Sequence, residues 1–516
     1  MLHLLDSLTR MPILRKFRSA ARVFRDRGLS DTADLARLRA AELYRTRRHL
    51  PADPARRARM LALNLNRWGG LSSVPVEAAD LAGLRGDVLE PYLRFRYSAA
   101  AAAAAELASS LRPVEAAMAA DSFLAVWDFP GIVASAPGWT RAAAGTPYAL
   151  RIAQAARRAL LRLGRLEEAA TGLEVTGDDR GALALQGDVC DALGRMDAAR
   201  TAYEAAIRRD GSDAYVREVY GFHLMKAGRV RDGLASWMAA DLLAGNYPLR
   251  RDRPQWTGEP LGTRRLMVLF EHGLGDMIQM ARFLPRLIAR EPAASVMARV
   301  PAPLLGLFAR QFRTVRLVAE DAREPDYDLF APSMHLAGVL DAPDLEPRTR
   351  YLDLGAPLAR GSARPRVGVC WRGHPRQYEF TRSIPIGLFS TLFAARDVDF
   401  AVLLNRLTPE EEASIAREPN VEAPPISDFV DLAALVASCD LVVSVDTAVV
   451  HLAGAGGVPT LLLSRPDSCW RWGTAGAEGP WYRSVEVLRH GGDLNWPALL
   501  DAAAARIRML GRAAAA

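Results

Sequence analysis

Apolar positions recur at helical spacing through the first half of the chain; after residue 262 they give way to short β-rich runs alternating with helical stretches. Residues 1–145 read as mostly helical, with an alanine-rich stretch at 99–105 and breaks at 51–54, 69–70 and 130–131, where Pro and Gly interrupt the pattern. Residues 146–245 repeat themselves. Leu163-Gly164-Arg165-Leu166 returns as Leu193-Gly194-Arg195-Met196 and again as Ala227-Gly228-Arg229-Val230, the central glycines being 30 and then 34 residues apart. Such a period predicts helix pairs joined by a tight glycine turn, each burying its apolar stripe only when neighbours stack on it. Small Ala198, Ala202, Ala205 and Ala206 allow close approach there, and Tyr203 and Ile207 fill the gaps.

Between 246 and 262, Pro248, Pro254, Gly258, Pro260 and Gly262 read as a linker. Beyond it, the runs 266–270, 295–300, 315–319 and 327–330 predict one parallel sheet within a lobe at 263–360. The runs 367–371, 400–404, 441–445, 460–463 and 485–488 predict a second sheet within a lobe at 361–512. Strands alternating with helices are the pattern of doubly wound lobes, whose ligands lie beyond the carboxyl ends of the strands. The expected fold class is therefore α plus α/β: a helical array followed by two Rossmann-like lobes.

Composition adds limits. Half of the 516 residues are hydrophobic and 24% are charged, a globular balance for a chain long enough to hold three or four compact units. No apolar run approaches the roughly 20 residues that span a bilayer, and the N-terminus lacks signal-peptide features, so a cytoplasmic location is expected. Cys190, Cys370, Cys439 and Cys469 have neither CxxC nor Cys/His spacing, which predicts buried reduced thiols rather than disulfides or a zinc site. Residues 1–60 hold fifteen Arg/Lys against six Asp/Glu, a surplus larger than the +7 of the whole chain. There Arg10, Arg15, Lys16, Arg18, Arg22, Arg25 and Arg27 alternate with Leu8, Met11, Leu14, Phe17 and Phe24. The segment reads either as a helix with a solvated basic face or as one that lies against an anionic inner-membrane surface. Lys16 and Lys226 are the only lysines, so arginine is the default cation and a single arginine carries little information. No nucleic-acid partner, metal or cofactor is expected.

Three motifs could carry chemistry. In the first, the run at 266–270 leads into Glu271-His272-Gly273-Leu274-Gly275-Asp276 and a helix expected near Met277. Gly273 and Gly275 permit a sharp turn and close backbone approach, and Asp276 is either a proton acceptor at a crevice or a helix cap. The second follows the run at 367–371: Arg372-Gly373-His374 and then Thr381-Arg382-Ser383-Ile384-Pro385. Arg372 and Arg382 offer forked hydrogen bonds suited to a diphosphate, unless they are ordinary surface arginines. The third is Asp446-Thr447-Ala448-Val449-Val450-His451 after the run at 441–445. Thr447 can cap a helix start that favours phosphate, His451 lies one turn further on the same face, and Asp446 is left to bond sugar hydroxyls. A plain cap with a satisfied core histidine is the alternative.

Residues 146–245 resemble tetratricopeptide repeats. The ordered set Trp256-Thr257-Gly258-Glu259-Pro260-Leu261, Glu271 to Gln279, Arg282-Phe283-Leu284-Pro285, Trp371-Arg372-Gly373, Arg382-Ser383-Ile384-Pro385, Ser444 to Gly454 and Trp470-Arg471-Trp472 resembles bacterial tetratricopeptide-repeat glycosyltransferases. Their catalytic half is similar to the lipopolysaccharide heptosyltransferases. The resemblance implies a GT-B fold and metal-independent transfer from a nucleotide diphosphate sugar. Asp276 falls on the aspartate proposed as general base in heptosyltransferases; Thr447, Ala448 and His451 fall on the diphosphate-binding turn, and Asp446 on a sugar-contacting position. Two departures stand out. Heptosyltransferases commonly use a second-lobe lysine near the phosphates, which Arg372 or Arg382 would have to replace, and Ala448 stands where glycine or serine is usual. The repeats imply an acceptor protein, such as flagellin, or a cell-surface glycan held on their concave surface. The missing lysine leaves open a non-catalytic scaffold with a decayed transferase domain, and a sugar-nucleotide epimerase of the same fold is a further alternative.

Overall fold

The computed structural model describes residues 58–515, apart from 59–60, 63–64, 66–70, 73, 77, 82–83, 94–96, 107–109, 174–178, 245–252, 341–349 and 375–378. The basic segment at 10–27 and its membrane-facing reading lie outside the described residues. No helix among the described residues is long and apolar enough to cross a membrane.

The helices begin with α1 (Gly86–Leu93), α2 (Tyr97–Glu106), α3 (Pro113–Ala125), α4 (Phe129–Ala142) and α5 (Pro147–Arg162). They continue with α6 (Leu166–Ala170), α7 (Arg180–Ala192), α8 (Met196–Arg209), α9 (Ala214–Lys226) and α10 (Val230–Ala244). Gly164, Gly194 and Gly228 take φ of 72°, 71° and 82°, the left-handed turn that the repeated Gly-Arg pattern predicts and that glycine adopts without a Cβ penalty. Between α7 and α8, Gly187 leaves room for Tyr203: an added Cβ would lie 2.4 Å from its ring.

The boundary expected at 145/146 does not divide the core. Tyr148, Ile152, Ala155 and Ala159 of α5 belong to the same apolar cluster as Leu61, Tyr92, Met118 and Trp139, because α5 packs on α3 and α4. A buried polar knot sits here. Arg151 (1% exposed) pairs with Asp121 (0%) at 3.2 Å, donates from Nη1 to Ser72 O at 2.8 Å and from Nη2 to Leu65 O, and Tyr92 Oη donates to Asp121 Oδ2 at 2.9 Å.

The described residues fall into two compact units, a helical one up to His223 resumed at 236–244, and an α/β one from 253 onward that also takes 224–235. In the α/β unit the first sheet comprises β1 (Arg265–Leu269), β2 (Ser295–Val300), β3 (Arg316–Ala319) and β4 (Leu329–Pro332), all parallel, in the order β3-β2-β1-β4. Helices α11 (Leu274–Ala281), α12 (Leu284–Arg290) and α13 (Ala302–Gln311) connect the first three strands. Pro332 is tolerated because β4 is an edge. The expected linker is corrected from residue 253 on. Gln255 bridges Phe330 beside β4, Trp256 is fully buried, and its indole N–H donates to Glu259 O at 2.7 Å, so this Pro/Gly segment belongs to the first lobe.

The second sheet holds β5 (Arg366–Cys370), β6 (Asp399–Val402), β7 (Val421–Glu422), β8 (Leu441–Val445), β9 (Thr460–Leu463), β10 (Glu478–Gly479) and β11 (Tyr482–Leu488). Its order is β10-β11-β9-β8-β5-β6-β7, parallel throughout except for β10. Continuous Val/Leu runs such as Leu441–Val445, buried on both faces, are what a covered parallel strand requires. In this sheet the chain runs from β5 outward to β6 and returns as β8 on β5's other side. In the first sheet the reversal lies between β1 and β4. Those two reversals are where doubly wound sheets open a crevice at their strands' carboxyl ends.

Candidate functional site

At the first reversal, the turn after β1 carries Glu271, whose carboxylate accepts the backbone N–H groups of Ser333 (3.2 Å) and Met334 (3.3 Å) just past β4. His272 takes φ 73°, a conformation that costs a non-glycine residue roughly 1–3 kcal/mol. The sharp bend that the sequence assigns to glycine is therefore made by His272, while Gly273 is extended (φ −88°, ψ 156°) and caps α11. The helix starts at Leu274 rather than near Met277, which puts Asp276 in its first turn. There Asp276 Oδ2 accepts the Gly273 N–H at 2.9 Å.

At the second reversal, Thr447 caps α19 (Ala448–Gly456) in extended conformation, its hydroxyl accepting the Val449 N–H at 3.3 Å. In chain order that helix follows α14 (Leu336–Val339), α15 (Glu379–Arg382), α16 (Ile386–Phe389), α17 (Pro409–Ile415) and α18 (Phe429–Ala437). Asp446 and Ala448 flank Thr447, all three half-buried. His451 is buried, with Nδ1 2.9 Å from Tyr482 Oη and its ring stacked on Trp472 at 5.3 Å between centroids. Burial and the nearby Arg471 guanidinium push its pKa down to about 4, against the opposing pull of Asp446 and Asp276, so the ring is neutral at neutral pH.

The two helix starts meet. A Cβ on Gly275 would lie 2.6 Å from His451 Cδ2 and 3.3 Å from the Ala448 Cα, so the glycine is there for the crossing of α11 over α19. Between them stands Arg471, on the turn Trp470–Trp472. Its Nη2 donates to Asp276 Oδ1, its Nε donates to Gln279 Oε1 at 3.0 Å, its Nη1 lies 3.0 Å from Cys469 Sγ, and the guanidinium rests 4.3 Å from the Trp470 ring centroid. Burial alone would raise the Asp276 carboxyl; the Arg471 guanidinium chiefly, with the Gly273 amide, outweighs it and holds the pKa below the ordinary carboxylate range. With His451 neutral, Arg471 is the ion that counts.

Next to this cluster, Arg282 fixes the two lobes together. It is buried, donates from Nη1 to Trp481 O at 3.1 Å, and faces the rings of Tyr351, Trp481 and Tyr482 at 4.7, 5.1 and 4.8 Å. Tyr351 Oη donates to Ile278 O of α11 at 2.9 Å, while its own backbone N–H bonds Ala455 O of α19.

Asp276, Gly273, Gly275, Thr447, Ala448, His451 and Asp446 thus gather around one crossing. The second-motif arginines differ. Arg372, expected to face a diphosphate, is turned away: its fork holds Glu411 through Nε–Oε1 at 2.5 Å and Nη2–Oε2 at 2.8 Å, and Nη2 also donates to Arg406 O. A carboxylate already fills that fork and balances its charge, with the Glu411 pKa held down at about 2 against the raising effect of its burial. Arg382 donates to His374 O and lies against Gly373, at the carboxyl end of β5 but in no contact with Asp276 among the described residues. Among the described residues the cation at the crossing is Arg471, whose segment Trp470-Arg471-Trp472 belongs to the resemblance but carries no assigned role in the sequence.

Gly275→Ala is expected to cost about 1–3 kcal/mol in denaturant unfolding, because the His451 ring is held by Trp472 and Tyr482 and cannot yield to the new methyl group. An unchanged unfolding midpoint would mean that the crossing is looser than described.

Residues 404–494 match Glycosyltransferase family 9 (heptosyltransferase). Protein FlbA of Caulobacter vibrioides is 29% identical over 339 residues, a match covering 57% of this chain and 56% of FlbA. The chain thus spans little more than half the length of that curated relative. Among solved structures, E. coli ADP-heptose lps heptosyltransferase II is 16% identical, covering 49% of this chain and all of that one, with a TM-score of 0.35. The bacterial iron-containing dodecameric glycosyltransferase TibC from enterotoxigenic E. coli is 15% identical, covering 46% of this chain and 66% of that one, with a TM-score of 0.34.

Proposed function

We propose that residues 263–512 form a GT-B glycosyltransferase that moves a sugar from a nucleotide diphosphate sugar to an acceptor hydroxyl. The observation that carries this is the crossing of α11 and α19. It sets a carboxylate, Asp276, against a threonine-capped helix start at the reversal points of two parallel sheets. The family match at 404–494, which includes Asp446, Thr447, Ala448 and His451, supports the same reading.

In this mechanism the acceptor hydroxyl gives its proton to Asp276 and attacks the anomeric carbon, and the bond to the diphosphate breaks. The leaving nucleoside diphosphate takes the bonding electron pair and is stabilised by the α19 start and by arginine. Asp446 bonds sugar hydroxyls. Cationic side chains supply the neutralisation, so no metal or cofactor is invoked. The helix pairs at 146–245, in this reading tetratricopeptide repeats, present a protein or a cell-surface glycan, and the reaction takes place in the cytoplasm or at the inner-membrane face.

Incubating the full chain with ADP-, GDP- and UDP-sugars plus candidate acceptor proteins should release nucleoside diphosphate and add one sugar mass to an acceptor. The engagement of Arg372 with Glu411 favours the rival scaffold reading. Absence of binding by any nucleoside diphosphate would decide for the scaffold.

A further inference from the structure

The Asp276–Arg471 pair poses a chemical problem. A general base works best with a pKa near the operating pH, yet this carboxylate is held down by a guanidinium bonded directly to it. A permanent pair would leave a weak base. Two details show how the pair can part without either member losing its place. Asp276 has a second hold, the Gly273 N–H on Oδ2, so its position does not depend on Arg471. Arg471 has its own, through Nε to Gln279 Oε1 and through stacking on Trp470, so Nη2 can change partner while the rest of the guanidinium stays. Both side chains also remain within reach of solvent, Asp276 19% and Arg471 14% exposed.

We propose that Arg471 is an exchange residue: its Nη2 leaves Asp276 for the diphosphate when donor binds, so the carboxylate is freed as a base only with donor in place. This rests on the transferase reading above. The competing charges are unequal, since a diphosphate brings more negative charge than one carboxylate, and the start of α19 adds to its attraction. Around the guanidinium stand Asp276, Asp446, His451 and Cys469. His451 is neutral at neutral pH, and among the described residues Arg471 is the cation bonded to Asp276, with Arg282 caged by rings beside the crossing and His272 exposed next to it. Arg471 is thus a positioning residue for the base and a ligand for the leaving group in turn, and donor is required to bind before the acceptor is activated.

The test is a binding cycle by calorimetry on the full chain, using whichever of ADP, GDP and UDP wild type binds most tightly. Asp276→Asn removes the competitor and should tighten binding several-fold; Arg471→Gln should weaken it by roughly tenfold or more, the loss of a charged hydrogen bond. In the Arg471→Gln background, adding Asp276→Asn should bring no tightening. Simple repulsion between Asp276 and the diphosphate would instead tighten binding equally in both backgrounds, which overturns the exchange, as does equal or weaker binding by Asp276→Asn alone. Should Arg471→Gln fail to fold, Arg471→Met, which keeps an apolar stem against Trp470, takes its place in the cycle. If wild type binds none of the three nucleotides, the transferase reading fails and the exchange with it; if wild type binds and the cycle is additive, the exchange alone fails.

Discussion

Asp276→Asn should slow sugar transfer by about 10²–10⁴-fold, the usual share of a general base in a proton-coupled displacement, while leaving the protein folded and still able to bind nucleoside diphosphate. Asparagine keeps an acceptor oxygen for either Gly273 N–H or Arg471, so the turn before α11 retains its geometry. Arg471 keeps its bond to Gln279 and its stacking on Trp470, so losing the pair does not strand its guanidinium. Rates of nucleoside diphosphate release and acceptor modification, measured beside a thermal melt, check both halves. Turnover at the wild-type rate would remove Asp276 from the mechanism.

Arg151→Met should destabilise the helical unit by about 3–5 kcal/mol, because it removes a buried guanidinium paired with the buried Asp121 carboxylate. Tyr92 still donates to Asp121, but a neutral hydrogen bond does not replace the guanidinium's charge beside a fully buried carboxylate. The carbonyls of Ser72 and Leu65 also lose their donor. The double variant Arg151→Met with Asp121→Leu removes both charges and should recover most of the loss, since a buried pair replaced by apolar groups of similar volume is often neutral. Denaturant unfolding followed by far-UV circular dichroism reads the difference. A loss below about 1 kcal/mol in the single variant would mean that Asp121 finds other solvation.

What the sequence makes legible follows from which interactions are local. Strands 441–445 and 460–463 coincide with the pattern residue for residue, since near-continuous apolar runs announce strands covered on both faces. The Thr447 cap is legible because a cap is a contact two residues long. By contrast β7 and β10 have two residues each and carry no period. Arg372 was assigned to a ligand because its partner, Glu411, lies on a helix beyond the next strand, and no local rule joins them. Gly275 looks like a turn glycine in sequence, and only the fold shows that His451 is what excludes a side chain there. Arg471 was hidden for a different reason. In a chain with two lysines, arginine marks nothing by its presence, and its meaning lies in the carboxylate it meets on the other lobe.

The ring cage around Arg282 limits how the paired sheets can move. Sliding them apart at this end would strip a cation of three aromatic faces and a carbonyl at once, whereas swivelling about it leaves those contacts largely intact. An opening that kept the Arg282 contacts would therefore be angular, with Arg282 as its pivot and its widest point at the rim farthest from that pin.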